Sequence, residues 1–186
     1  MALLKTPQRD NAFKLTDFHL IGTDDKMYDA RDIKGANGTA LFFICNHCPY
    51  VLAMIDRIVA DAHVLMANNI GCAAICSNDA TAYPDDSFAN MKKFDTQHML
   101  TDLPYLWDES QDVAKAYGAV CTPDIFGFDK DDSLVYRGRL DNAGAQSDIN
   151  SADFHRDFLN TMLQIKDHGS SDIAQHPSMG CSIKWK

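Results

Sequence analysis

Long apolar runs are missing from this chain. No segment stays apolar for the roughly 18 residues that a membrane-spanning helix needs. The opening stretch, Met-Ala-Leu-Leu-Lys-Thr-Pro-Gln-Arg-Asp, has one short apolar step before a proline and charges, unlike the apolar core of a secretory leader. A cytoplasmic location is therefore expected, where thiols are kept reduced and a disulfide is more often catalytic or sensing than structural. Positive charge is also scarce: 17 Lys and Arg stand against 26 Asp and Glu, a formal net charge of -9. Such a field repels phosphate backbones and anionic lipid, which argues against nucleic-acid and membrane partners. Internal repeats and low-complexity tracts are absent as well.

What is present has the proportions of an ordinary globular protein, with 46% apolar and 23% charged residues over 186 positions. One domain over 1–186 is expected, with a core at 12–166 and a C-terminal arm at 167–186 that begins in the linker-like stretch Asp167-His168-Gly169-Ser170-Ser171-Asp172. Residues 13–34 read as a hairpin or extended lead-in around a turn at Gly22–Lys26. Leu41-Phe42-Phe43-Ile44 is a continuous apolar run, as in a strand buried on both faces. Directly after it, Val51, Ile55, Ile58, Val59, Ala62 and Met66 recur at helical spacing, predicting one helix of about four turns. Ile70–Cys76 reads as a second buried strand and 87–98 as an inserted helix. Leu103–Trp107 reads as extended and Ser110–Tyr117 as a short helix stopped by Gly118, followed by a hairpin of Ile125–Phe128 with Leu134–Arg137. Phe154, Phe158, Met162 and Ile165 put a last amphipathic helix over 152–165. Strands alternating with helices predict an α/β domain whose central mixed sheet is flanked by helices.

The chemistry concentrates at Cys45-Asn46-His47-Cys48, placed where the buried strand gives way to the helix. A thiol at a helix N-terminus faces unpaired amides and the positive end of the dipole, so Cys45 is predicted to be the acidic, exposed nucleophile and Cys48, one turn on, the resolving thiol. The alternatives are two inert core thiols or a zinc site. Zinc needs four ligands, and Cys72 and Cys76 do not form the second Cys-x-x-Cys of a knuckle, so no metal is assigned. No other cofactor is called for.

Together with Ser77-Asn78-Asp79-Ala80, Tyr83-Pro84-Asp85-Asp86-Ser87, Ala114-Lys115-Ala116-Tyr117-Gly118, Cys121-Thr122-Pro123-Asp124, Tyr136-Arg137-Gly138 and the Gly180–Lys186 tail, this motif resembles the thioredoxin superfamily. The resemblance is closest to the thioredoxin-like or peroxiredoxin-like subgroup of alkyl hydroperoxide reductase and thiol-specific antioxidant type. It implies a thioredoxin fold with an N-terminal hairpin extension and a redox-active Cys45–Cys48 disulfide. It also implies a cis Thr122–Pro123 peptide beside the pair, whose backbone edge recognises a substrate chain, against the trans proline that ends an ordinary loop. Two departures stand out. Counting back from Cys48 puts Cys45 where peroxiredoxins have their peroxide-activating Thr, and the strand at 41–44 lacks the buried acid of thioredoxin, which leaves the proton route from Cys48 open.

Of the other thiols, Cys121 and Cys181 are candidates for additional redox roles or are simply loop and tail anchors, while Cys72 and Cys76 read as core fillers. His47 is expected to add positive potential near Cys45 and tune the redox poise. The function read from this pattern is thiol–disulfide exchange on a protein or small-molecule disulfide, with electrons from an unidentified thiol donor. A peroxiredoxin-like antioxidant peroxidase and a non-catalytic redox sensor or metal-handling protein are the alternatives.

Overall fold

The computed structural model describes residues 2–100, 102–145 and 149–186. In chain order it begins with β1 (Leu3–Lys5), β2 (His19–Gly22), β3 (Met27–Asp29), α1 (Ala30–Ile33) and β4 (Gly38–Phe43). Next come α2 (Pro49–Leu52), α3 (Ile55–Ala67), β5 (Ile70–Cys76), α4 (Phe88–His98), β6 (Tyr105–Trp107) and α5 (Asp112–Tyr117). The chain ends with β7 (Cys121–Thr122), β8 (Asp124–Phe128), β9 (Leu134–Gly138), α6 (Asp157–His168) and β10 (Met179–Ser182).

Seven strands form a mixed sheet in the order β3-β2-β6-β5-β4-β8-β9. β4 lies near its middle, parallel to β5 and antiparallel to β8, and all six of its residues are buried. Alternation along this strand divides the core: Ala40, Phe42 and Ile44 join the layer under α3, α4 and α6, while Leu41 and Phe43 join the layer under α1 and α5. The fold is therefore the thioredoxin-type α/β architecture predicted, with the N-terminal hairpin β2–β3 and the inserted helix α4 in place.

Two helices differ from expectation. The helix after β4 is broken: α2 stops at Leu52, Met54 N–H bonds back only three residues to the Val51 carbonyl, and α3 restarts at Ile55. The last helix begins at Asp157, so Phe154 precedes it. There Arg156 reaches across to Asp61, an acid that periodicity alone leaves on a helix surface but that is 1% exposed and paired with this guanidinium.

A second, three-stranded sheet in the order β1-β10-β7 ties both chain ends to the loop before β8. The Thr122–Pro123 peptide, which follows β7, is cis. Among the described residues no helix is long and apolar enough to cross a membrane.

Candidate active site

Proline decides where the helix starts. Pro49 occupies its first turn, where no N–H is needed, and its ring pushes the preceding residue into extended backbone, so Cys48 (φ -71°, ψ 120°) is the cap residue. Cys45 lies three residues earlier, just before the bend at Asn46-His47. The prediction that Cys45 opens the helix and stands exposed is thus corrected: Cys45 is 1% and Cys48 0% exposed.

The two sulfurs are electrostatically unequal, in the opposite sense to that predicted. Cys48 is lowered to about 4, first because the Cys45 thiol donates to it, with the Val51 amide and the Cys181 thiol and amide adding donors. Burial opposes this, as does the Thr122 carbonyl oxygen 3.1 Å from Cys48 Sγ, which only a protonated thiol can satisfy. Several donors against one acceptor leave Cys48 the more acidic group. Cys45 is raised well above the ordinary thiol range because it gives its proton to Cys48, with burial and the nearby Asp86 carboxylate acting in the same direction. Its other partner is the Thr122 hydroxyl at 3.3 Å.

Asp86 is the group that pattern reading missed. It comes from a single 3-10 turn, Pro84–Asp86, is 0% exposed, and accepts from Asn46 N–H (2.8 Å) and Asn78 Nδ2 (2.7 Å). Asn46 locks the turn in place: its side chain donates to the Asp85 carbonyl at 2.9 Å and accepts from the Tyr105 hydroxyl at 2.9 Å. His47 Nδ1 lies 2.8 Å from Asp86 Oδ2, without the angle of a hydrogen bond, and its ring stacks on Tyr83 at 5.9 Å. The positive potential expected of His47 is therefore set against a buried carboxylate of opposite sign. Substituting Asp86→Asn should lower the Cys45 thiol pKa. In a Cys48→Ser background this would appear as roughly tenfold faster alkylation at neutral pH, the effect of removing one nearby charge. An unchanged rate would remove Asp86 from the electrostatics of the pair.

Cys45, His47 and Asp86 offer one ligand atom each within 4.8 Å of one another, the donor types that borderline metals accept. Both carboxylate oxygens already accept side-chain or backbone N–H groups, so the cluster reads as a hydrogen-bonded charge arrangement before it reads as a metal cage.

The remaining cysteines separate. Cys181 in β10 pairs across from Thr122 and lies against Cys48, whereas the Cys121 thiol donates to the Pro123 carbonyl at 3.7 Å. Cys72 and Cys76 are buried in β5, and burial pushes the Cys76 thiol up to about 12. A cleft of about 310 Å³ lies beside α2 and β10 between Tyr50, Met54, Arg139 and Met179, and no cysteine lines it.

The AhpC/TSA family model matches residues 12–137. Two solved structures align with nearly the whole chain. One, an uncharacterized conserved protein from Geobacillus kaustophilus, is 36% identical over 100% of this chain and 97% of that one, with a TM-score of 0.92. The other, a hypothetical protein from Sinorhizobium meliloti 1021, is 31% identical over 98% of each chain, with a TM-score of 0.87. The exposed lipoprotein thioredoxin Etrx1 of Streptococcus pneumoniae is 26% identical over 66% of this chain and 87% of its own, with a TM-score of 0.55. No curated protein matches the chain.

Proposed function

The chain belongs to the AhpC/TSA family of thioredoxin-fold redox proteins, and from that membership we propose that it is a thiol–disulfide oxidoreductase cycling between a Cys45/Cys48 dithiol and a disulfide. The observation that carries this reading is that both thiols are buried against Thr122, Cys45 Sγ 3.3 Å from its hydroxyl and Cys48 Sγ 3.1 Å from its carbonyl oxygen, with the charged form favoured at Cys48. In reduction of a substrate disulfide, one thiolate attacks, a mixed disulfide forms, and the second thiol displaces it to leave the Cys45–Cys48 bond and two substrate thiols. Thr122 and Pro123 border the pair, Asn46 fixes the loop, and the Asp86 carboxylate with the His47 ring beside it completes the surroundings.

Peroxide reduction is a second reading, favoured by one observation. Cys45 stands where peroxiredoxins place a hydroxyl donor, and its thiol donates to Cys48 as that hydroxyl would. Attack of the Cys48 thiolate on a peroxide would release water or an alcohol and leave a sulfenic acid, which Cys45 would condense with, losing water to close the same disulfide.

Reduced protein mixed with glutathione disulfide is expected to release two glutathiones and to yield a Cys45–Cys48 linked peptide on mapping. Parallel incubation with hydrogen peroxide should be slower at equal concentration. Exhaustive oxidation without that linked peptide would rule out the dithiol cycle, and faster peroxide consumption would promote the peroxidase reading.

A further inference from the structure

A two-residue strand beside a redox pair offers a backbone edge on which an extended polypeptide can add itself. In this protein the edge of β7 is filled by the chain's own β10, with Cys181 opposite Thr122 and Ser182 opposite Cys121. The filling strand is held on both sides of Cys181. Ser178 Oγ donates to the Pro123 carbonyl at 2.8 Å, and Ile183 N–H to the Val120 carbonyl at 3.1 Å. Lys184 N–H donates to Asn78 Oδ1 at 2.8 Å, while its carbonyl accepts from Gln111 Nε2 at 2.7 Å. Gly180 lets the strand come this close, because a Cβ there would stand 2.0 Å from the Thr122 carbonyl oxygen.

Residues opposite each other across an antiparallel pair project to the same face. The Thr122 side chain reaches Cys45, so Cys181 emerges on the face that carries the dithiol, and its thiol and backbone N–H both meet the Cys48 sulfur. α2 packs against this strand and Cys181 is 4% exposed, so the contact is part of the core.

We propose that β10 is a resident exchange strand: it closes the β7 edge to extended polypeptides and presents Cys181 as a third thiol that exchanges with Cys48. The inference rests on the dithiol reading above. In the step, the Cys181 thiolate attacks Cys48 of the Cys45–Cys48 disulfide, a Cys48–Cys181 bond forms, and Cys45 leaves as a thiolate. Cys181 is oxidised, Cys45 is reduced, and the proton given up by Cys181 ends on Cys45. No outside oxidant enters this step. The substrates that fit are low-molecular-weight disulfides and thiols, which need no strand pairing.

Three measurements test it. Cys45→Ser treated with glutathione disulfide should give an intramolecular Cys48–Cys181 disulfide on peptide mapping; Cys48 found only as a glutathione adduct, with Cys181 free, overturns the relay. Should that variant misfold, wild-type protein equilibrated in mixed glutathione buffers should contain the same linked peptide as a minor species, and its absence counts equally against it. Wild type should reduce glutathione disulfide much faster than insulin, and Gly180→Ala should narrow that ratio by roughly tenfold, the worth of one or two backbone hydrogen bonds. Equal rates on both substrates in wild type overturn the sealed edge. Failure of the dithiol reading looks different: no Cys45–Cys48 linked peptide and no turnover of either disulfide.

Discussion

At neutral pH the reduced protein is expected to show the ultraviolet absorbance of one thiolate, titrating near pH 4 and belonging to Cys48. Cys48→Ser should abolish this titration, and Cys45→Ala, by removing the thiol that donates most strongly to Cys48, should move it clearly upward. The sign for stability follows from the direction of the shift. A thiol depressed in the folded state stabilises that state fully above its unfolded pKa of about 8.5, and this contribution is lost as pH falls through the folded value. At neutral pH it amounts to about 4 kcal/mol in the reduced form, so the reduced protein should lose stability between pH 7 and 4 while the disulfide form does not share that loss. The same energy favours the dithiol over the disulfide, making the pair more oxidising than an unperturbed one by on the order of 90 mV. A thiolate signal that survives in Cys48→Ser would assign the charge to Cys45 and reverse the roles of the two sulfurs.

The second large effect is expected at an ion pair outside the dithiol. Arg137→Ala should cost about 3–5 kcal/mol in urea unfolding, because it strands a buried charge. Asp124, 0% exposed, accepts from Arg137 at 3.2 Å and 2.8 Å, and the same guanidinium donates to the Gly118 carbonyl at 2.7 Å and lies 4.5 Å over the Phe126 ring. Desolvation pushes the Asp124 carboxyl up, and the guanidinium beside it pulls it back. Asp124 also accepts from Val120 N–H, so the pair clamps the backbone that leads into Cys121 and Thr122. Loosening it should slow reduction of glutathione disulfide along with the loss of stability. A penalty below about 1 kcal/mol would mean that water reaches the site and screens the pair.

Much of this architecture was legible in the residues. The apolar run 41–44 marks the central strand because a strand covered on both faces has no polar side to alternate with, and Gly118 marks the end of α5 by adopting the left-handed conformation (φ 61°). The Cys45–Cys48 motif picked out the turn between β4 and α2 on which the candidate site is built. Its polarity was misread although the signal was present, since Pro49 bars its predecessor from the helix and so places Cys48 at the cap. The break at Ala53-Met54 carries no Gly or Pro and left no local trace. Asp86 and Cys181 reach the dithiol from 38 and 133 residues beyond Cys48, through a turn and a strand register that periodicity cannot specify.

The pairing of β10 with β7 also has a meaning in time. A polypeptide leaves the ribosome from its N-terminus, so the dithiol emerges with its central strand long before Cys181, 133 residues later, can cover it. At translation speeds of about 5–20 residues per second this interval is roughly 7 to 27 seconds. During it, the nascent chain holds Cys45 and Cys48 without their covering strand and without the donors that Cys181 contributes to the thiolate. The pair is then open to whatever oxidants or thiols surround the ribosome, and it becomes a guarded centre only once β10 has been made and has paired with β7.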